Sequence, residues 1–231
     1  MQRIVVINPN CTQAVTDGMS DALSRYRMAS GPEVSCQTLR TGPPGIETQA
    51  HVDGLSEKLI AHAAADAEVK SADILVIACF SDPGVTALRE VVKKPVLGIA
   101  ECSYLTAAAL GERIGVIAIL SGSIPRHRRQ QRLLGIDQRI AAELPLELGV
   151  LELSKEDSAW ARISAVGKRL YTEHAAQSII LGCAGMARYR ERLEDQLGVP
   201  VIDPTQSAVG IAMGLLLART DARVGRMQAA A

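Results

Sequence analysis

Ile74-Leu75-Val76-Ile77-Ala78-Cys79 and Ser178-Ile179-Ile180-Leu181-Gly182-Cys183 are two short apolar runs, 104 residues apart, and each ends on a cysteine. Both read as buried strands, since they are rich in β-branched residues and run into turn-forming sequence. The likeness extends outward. Pro95-Val96-Leu97-Gly98-Ile99 is echoed by Pro200-Val201-Ile202-Asp203-Pro204 at an offset of 105, and Arg3-Ile4-Val5-Val6-Ile7 by Arg113-Ile114-Gly115-Val116-Ile117 at 110. Self-similarity at a nearly constant long offset marks a duplicated architecture. Further strands are read at 34–39 and 146–151, with amphipathic helical patterns in most gaps. One such helix starts near Thr12, where Val15, Met19, Leu23 and Tyr26 recur at steps of about four. The expected fold is α/β, with two pseudo-symmetric halves that each hold a four-stranded, mainly parallel sheet flanked by helices. The first domain is expected to comprise 1–100 plus 207–231, the last helix returning from about Ser207, and the second 101–206. No Pro/Gly/Ser-rich linker separates them, so they should pack around a shared cleft.

Composition agrees with this reading. Of the 231 residues 48% are hydrophobic, yet there are only four tyrosines, one tryptophan and one phenylalanine, so the core must be built from Val, Ile, Leu and Ala. Lys+Arg and Asp+Glu both total 25. That balance gives no overall field toward nucleic acid or membrane, and the expected partner is a small molecule. The amino terminus enters a strand at once and no apolar run approaches a membrane span, so a cytoplasmic location is expected. The five cysteines show neither a CxxC pair nor a secreted disulfide framework and are read as reduced thiols.

In open parallel sheets, ligands bind beyond the carboxyl ends of the strands. Cys79 and Cys183 both fall there. Asp82 and Pro83, which follow Cys79, read as the N-cap and first residue of a helix. Ala184-Gly185-Met186, after Cys183, lets a ligand approach the backbone. A thiol facing helix N–H groups is expected to favour the thiolate. If the halves face one another across an approximate twofold axis, the two thiols lie on opposite sides of a bound molecule, which suits proton removal from one face of a carbon and return to the other.

Other features are read as structural. Asn8-Pro9-Asn10 is a turn or a ligand contact, and Ser121 and Ser123 in the matching second-half loop are caps or ligand hydroxyls. Arg126-His127-Arg128-Arg129 with Arg132 reads as a solvated helix face, and Phe80 as core. No histidine stands at metal-ligand spacing from a cysteine or carboxylate, and there is neither a GxGxxG nor a GxxxxGK[ST] sequence, so no metal is expected.

Ile7-Asn8-Pro9-Asn10, Ala78-Cys79-Phe80-Ser81-Asp82-Pro83-Gly84 and Ile180-Leu181-Gly182-Cys183-Ala184-Gly185-Met186 resemble the hydantoin and allantoin racemase branch of the aspartate/glutamate racemase superfamily. Pro95 to Glu101 and Val199 to Asp203 extend the likeness over almost the whole chain. The resemblance implies two flavodoxin-like domains, catalytic cysteines at Cys79 and Cys183, no cofactor and a homo-oligomer. It further implies a substrate held near Asn10, Phe80, Ser81, Ala184 and Gly185, with Ile119 and Ser121 at the second-half loop. The chain departs from the branch at Cys11-Thr12, where Thr-Ser is common, and at Ala118-Ile119, where threonines are usual.

The function expected is cofactor-independent racemisation at a carbon α to a carbonyl, one thiolate abstracting the proton and the other thiol donating it, on a 5-substituted hydantoin or allantoin. Three alternatives stand beside it. An aspartate/glutamate-type racemase would carry Cys-Asn-Thr where Cys79-Phe80-Ser81 stands. A cis–trans isomerase of an unsaturated diacid would add one thiolate covalently to its substrate, and a non-catalytic small-molecule sensor would use its cysteines only for packing or redox response.

Overall fold

The structure, a computed structural model, describes residues 1–218; the expected last segment of the first domain therefore lies outside the described residues from 219 onward. The described residues hold eight strands: β1 (Arg3–Asn8), β2 (Glu33–Thr38), β3 (Ile74–Ile77), β4 (Val96–Gly98), β5 (Ile114–Ala118), β6 (Ile140–Pro145), β7 (Ser178–Leu181) and β8 (Val201–Ile202). They form two four-stranded sheets, ordered β2-β1-β3-β4 and β6-β5-β7-β8. Every pairing is parallel. The second half thus repeats the strand order of the first. Among the described residues ten α-helices surround the sheets: α1 (Gln13–Ala22), α2 (Gln49–Asp53), α3 (Ser56–Ala65), α4 (Ala67–Ser71), α5 (Val85–Val91), α6 (Ile99–Leu110), α7 (Ile124–Leu133), α8 (Glu156–Thr172), α9 (Arg190–Leu197) and α10 (Pro204–Ala218).

β1 explains the layering. Its residues Ile4 to Ile7 are fully buried because helices cover both faces. Ile4 and Val6 pack with Met19, Leu23, Ala208 and Val209. Val5 and Ile7 point the other way, onto Leu55, Leu59 and Leu88. Each such aliphatic side chain contributes roughly 1.5–3 kcal/mol on burial.

Two helices join the halves. Ile99 and Cys102 of α6 belong to the core of the first sheet. Farther along the same helix, Tyr104 and Ala107 pack against Ile114, Val116, Ile180 and Ile202 of the second. α10 lies against the first sheet, where Ala208, Val209 and Ala212 meet Ile4, Ile74 and Val76.

The expected strand at 146–151 is not there. β6 lies earlier, at Ile140–Pro145, and Ile114 pairs with Ile140 as Ile4 pairs with Val34. The alternation Leu146, Leu148, Val150 that suggested a strand arises because this connection buries those side chains in the second core as it crosses it. Glu147 has φ 53 and a 3-10 turn follows at Val150–Ser154, so the segment cannot stay extended. β6 itself carries Glu143 and Pro145 and two alanines, which weaken a strand signal in sequence but are tolerated on an edge strand.

Asp82 is also corrected. The helix after Cys79 starts at Val85 behind Gly84, with φ 69, and not at Pro83. Asp82, itself at φ 43, turns its carboxylate to a different helix: it accepts from the backbone N–H of Ala100 and of Glu101, both at 2.9 Å, at the start of α6. Gly98 makes this approach possible, because a Cβ there would sit 2.2 Å from Asp82 Cγ.

Candidate active site

The carboxyl ends of β1, β3, β5 and β7 converge on one narrow cavity of about 30 Å³ between the sheets. Cys79 and Cys183 both line it, each just beyond the last paired residue of its strand. Their local settings are alike: the sulfur of Cys79 accepts from the backbone N–H of Ser81, and that of Cys183 from the backbone N–H of Gly185 at 3.4 Å. Both cysteines are half-buried residues. A wider depression of about 760 Å³ adjoins the cavity, and Val15, Val150, Ala184 and Gly185 belong to both.

The thiols are not poised as thiolates. Burial pushes Cys79 up to about 12 and Cys183 up to about 11, against the single backbone hydrogen bond that each receives. The expected helix-dipole effect is overruled: α5 does not begin until Val85, and Cys183, although it caps the 3-10 turn Ala184–Tyr189, gains only the Gly185 N–H against its burial. A lone N–H does not offset removal from water. Charge on Cys183 raises Cys79 further, and Asp203 and Glu47 raise Cys183, whereas Arg126 opposes the rise at Cys79.

Of the other residues expected at the site, Asn10, Phe80, Ser81, Ile119, Ala184 and Gly185 line the same cavity. Ser121 does not; it is exposed, and Ser123, one residue beyond Gly122, lines the wall instead. Asn10 is fixed by its own strand end. Its Oδ1 accepts from Asn8 Nδ2 at 3.0 Å and from the Thr12 backbone at 2.9 Å, while Asn8, fully buried, also donates to Thr16 Oγ1. This leaves the amide nitrogen of Asn10 for the cavity. Phe80 is a core residue as well as a wall, with its ring 5.5 Å from Tyr104 and edge-on to His127 at 5.1 Å.

The basic run on α7 is not uniformly solvated. Arg128, Arg129 and Arg132 are exposed, but Arg126 and His127 are buried and line the cavity. His127 Nδ1 meets Glu143 Oε1 of β6 at 2.5 Å, and Gln131 bridges Glu143 Oε2 and the Tyr104 hydroxyl. Arg126 Nε donates to Ser81 Oγ at 2.9 Å and its Nη2 to the Glu47 carbonyl at 3.4 Å. The spacing held a signal: Ser123, His127 and Gln131 recur every four residues, which marks one inward face of a helix. Glu143 was hidden because its partner is 16 residues away in sequence.

Contacts from α7 and the 149–150 turn also hold the halves together over the cavity. Besides Arg126, Gln130 Nε2 donates to Asp82 at 2.6 Å, Arg129 to Gln49 at 2.6 Å, and the Val150 N–H to Glu47 Oε1 at 2.9 Å. Asp203, just after β8, is buried with Oδ1 bonded to the Gln206 N–H and Oδ2 without a hydrogen-bond partner among the described residues. Among the described residues no group of three or more His, Cys, Asp or Glu could hold a metal ion, and no helix is long and apolar enough to cross a membrane.

Comparison with known proteins places this geometry in a family. The model of the Asp/Glu/Hydantoin racemase family matches residues 4–212. A hydantoin racemase of Pseudomonas sp. (strain NS671) is 35% identical over 97% of this chain and 87% of its own, and a hydantoin racemase of Paenarthrobacter aurescens 33% identical over 93% and 91%. The structure of an allantoin racemase from Klebsiella pneumoniae superposes with a TM-score of 0.89 at 30% identity, over 96% of this chain and 90% of that one. The chain belongs to the Asp/Glu/Hydantoin racemase family, in its hydantoin and allantoin racemase branch, and is a racemase acting on a small molecule.

Proposed function

We propose that the chain racemises a 5-substituted hydantoin or allantoin by two-cysteine proton transfer, with Cys79 on one face of the reacting carbon and Cys183 on the other. The observation that carries this reading is the convergence of two thiols, from equivalent strand ends and with equivalent backbone partners, on one cavity. One sulfur, as thiolate, takes the proton α to the carbonyl; the other, as thiol, gives a proton to the opposite face. The roles exchange for the other enantiomer. Both groups end with their protons redistributed, and no electrons leave the site.

The raised thiols suit a carbon acid. A sulfur that holds its proton up to about 11 or 12 is a stronger base, once ionised, than an ordinary thiolate. The penalty is scarcity, since burial keeps both thiols protonated at neutral pH. Charge leaving the carbon spreads over the carbonyl, where the Asn10 amide and backbone N–H groups beyond the cysteines are the available donors. A hydantoin has seven ring and carbonyl atoms, more than a cavity of about 30 Å³ admits. Entry on this reading widens the cavity toward the adjoining depression of about 760 Å³, with which it shares Val15, Val150, Ala184 and Gly185. The same reading takes the active protein to be a homo-oligomer.

The test is loss of optical rotation in deuterated water, with 5-substituted hydantoins, allantoin, aspartate and glutamate as substrates. Racemisation of a hydantoin or allantoin with one deuterium in each inverted product is expected. Turnover of the free amino acids alone contradicts the reading.

A further inference from the structure

We propose that Arg126 is the receptor for a carboxylate carried on the substrate's side chain, so that the preferred substrates are acidic, as in a 5-(carboxyalkyl)hydantoin. This rests on the racemase reading above and goes on to name the substrate class.

Among the described residues Arg126 is the only buried arginine. Arg3, Arg89, Arg139, Arg169 and Arg190 each have a carboxylate within ion-pair distance, and all of these pairs are at least partly open to water. Arg126 is 8% exposed, lines the cavity beside both cysteines, and has no such partner among the described residues. Its two hydrogen bonds go to neutral oxygens, the Ser81 hydroxyl and the Glu47 carbonyl, the second a long one. The carboxylates nearby are already engaged. Glu143 is held by His127 and Gln131, Asp82 by two backbone N–H groups and Gln130, and Glu47 by the Val150 N–H.

A guanidinium stays charged in any protein setting and offers five N–H groups in a planar fork. Here Nε and one Nη2 hydrogen are used, and no hydrogen bond from Nη1 is present among the described residues, although Arg126 also borders an outer depression beside Asp82 and Gln130. A buried charge without a counter-charge is unfavourable, and an anion in the cavity relieves it. Nothing else on the wall provides that anion, because burial keeps both thiols protonated at rest. The rest of the wall mixes apolar Val15, Ile46, Phe80, Ile119 and Val150 with neutral donors such as the Asn10 amide, so among the described residues Arg126 is the one guanidinium there for a carboxylate brought in by the substrate.

The experiment compares two substrates of the same shape, 5-(2-carboxyethyl)hydantoin and its carboxamide, in the wild type, Arg126→Gln and Arg126→Lys. The wild type is expected to favour the acid by tenfold or more in kcat/KM. Arg126→Gln should lower the acid-to-amide ratio about 100-fold, mostly through KM, and Arg126→Lys should retain part of the preference. Because a ratio is read, partial misfolding of a variant does not alter it. A wild type that prefers the amide, or an unchanged ratio in Arg126→Gln, overturns the assignment and leaves the racemase reading intact. Failure of the wild type with both of these hydantoins, while it racemises allantoin or another 5-substituted hydantoin, also overturns the assignment alone; failure with all of them overturns both.

Discussion

Replacing Gly98 by alanine should loosen the floor of the site through Asp82. The added Cβ would lie 2.2 Å from Cγ and 2.4 Å from each carboxylate oxygen, well inside van der Waals contact at about 3.5 Å. Asp82 cannot simply retreat, for it is bonded to the Ala100 and Glu101 N–H groups and to Gln130. Losing the cap costs about 0.5–2 kcal/mol and overpacking about 1–3 kcal/mol, together roughly 2–5 kcal/mol. At about 2–4 °C per kcal/mol for a chain of this size, Tm should drop by roughly 4–20 °C. A double-mutant cycle with Asp82→Ala isolates the cause: once the carboxylate is gone, the alanine at 98 should cost little more. A Gly98→Ala protein within about 0.5 kcal/mol of wild type, or strict additivity with Asp82→Ala, would refute the reasoning.

Three further expectations can be checked separately. Alkylation of Cys79 and Cys183 by iodoacetamide, followed by peptide mass spectrometry, should accelerate about tenfold per pH unit from pH 7 to 10, whereas a plateau below pH 9 contradicts the raised thiols. Burial holds Asp82 up to about 7 and Asp203 up to about 6, so the folded chain keeps protons that the unfolded chain releases near pH 4. This contribution is complete below that pH and fades as pH rises through 6 and 7. The urea midpoint should therefore fall from pH 5 to pH 8, less steeply in Asp203→Asn; an equally steep fall in that variant would exclude Asp203. Glu143→Ala should destabilise by about 2–5 kcal/mol in urea unfolding, as His127 and Gln131 lose a buried acceptor, and a change under 0.5 kcal/mol would remove that pair from the core.

The halves were legible in sequence because β1, β3, β5 and β7 are buried on both sides and so read as continuous apolar runs. The cysteines were legible for the same reason, as each ends one of those runs. Edge strand β6 was not, since its side chains are only half covered and its neighbour 146–151 mimics a strand by burying leucines from a loop. The repeat held the missing clue. Val34 with an offset between 104 and 110 falls at 138–144, inside the region where Ile140 begins the strand. Long-range polar contacts left less trace. Asp82 has the look of a local cap, yet it serves a helix 18 residues away, and the buried side of α7 was masked by three solvated arginines next to it. The sign of the thiol shift depended on how much protein encloses each sulfur, which no local pattern encodes.

The two-thiol account is tested most directly by single serine substitutions, Cys79→Ser and Cys183→Ser, with optical rotation followed from each pure enantiomer of a hydantoin that the wild type racemises. Each variant should lose interconversion in both directions by at least 10³-fold while remaining folded, since inversion needs a donor and an acceptor on opposite faces. A variant that still interconverts the enantiomers at the wild-type rate would show that its missing sulfur takes no part.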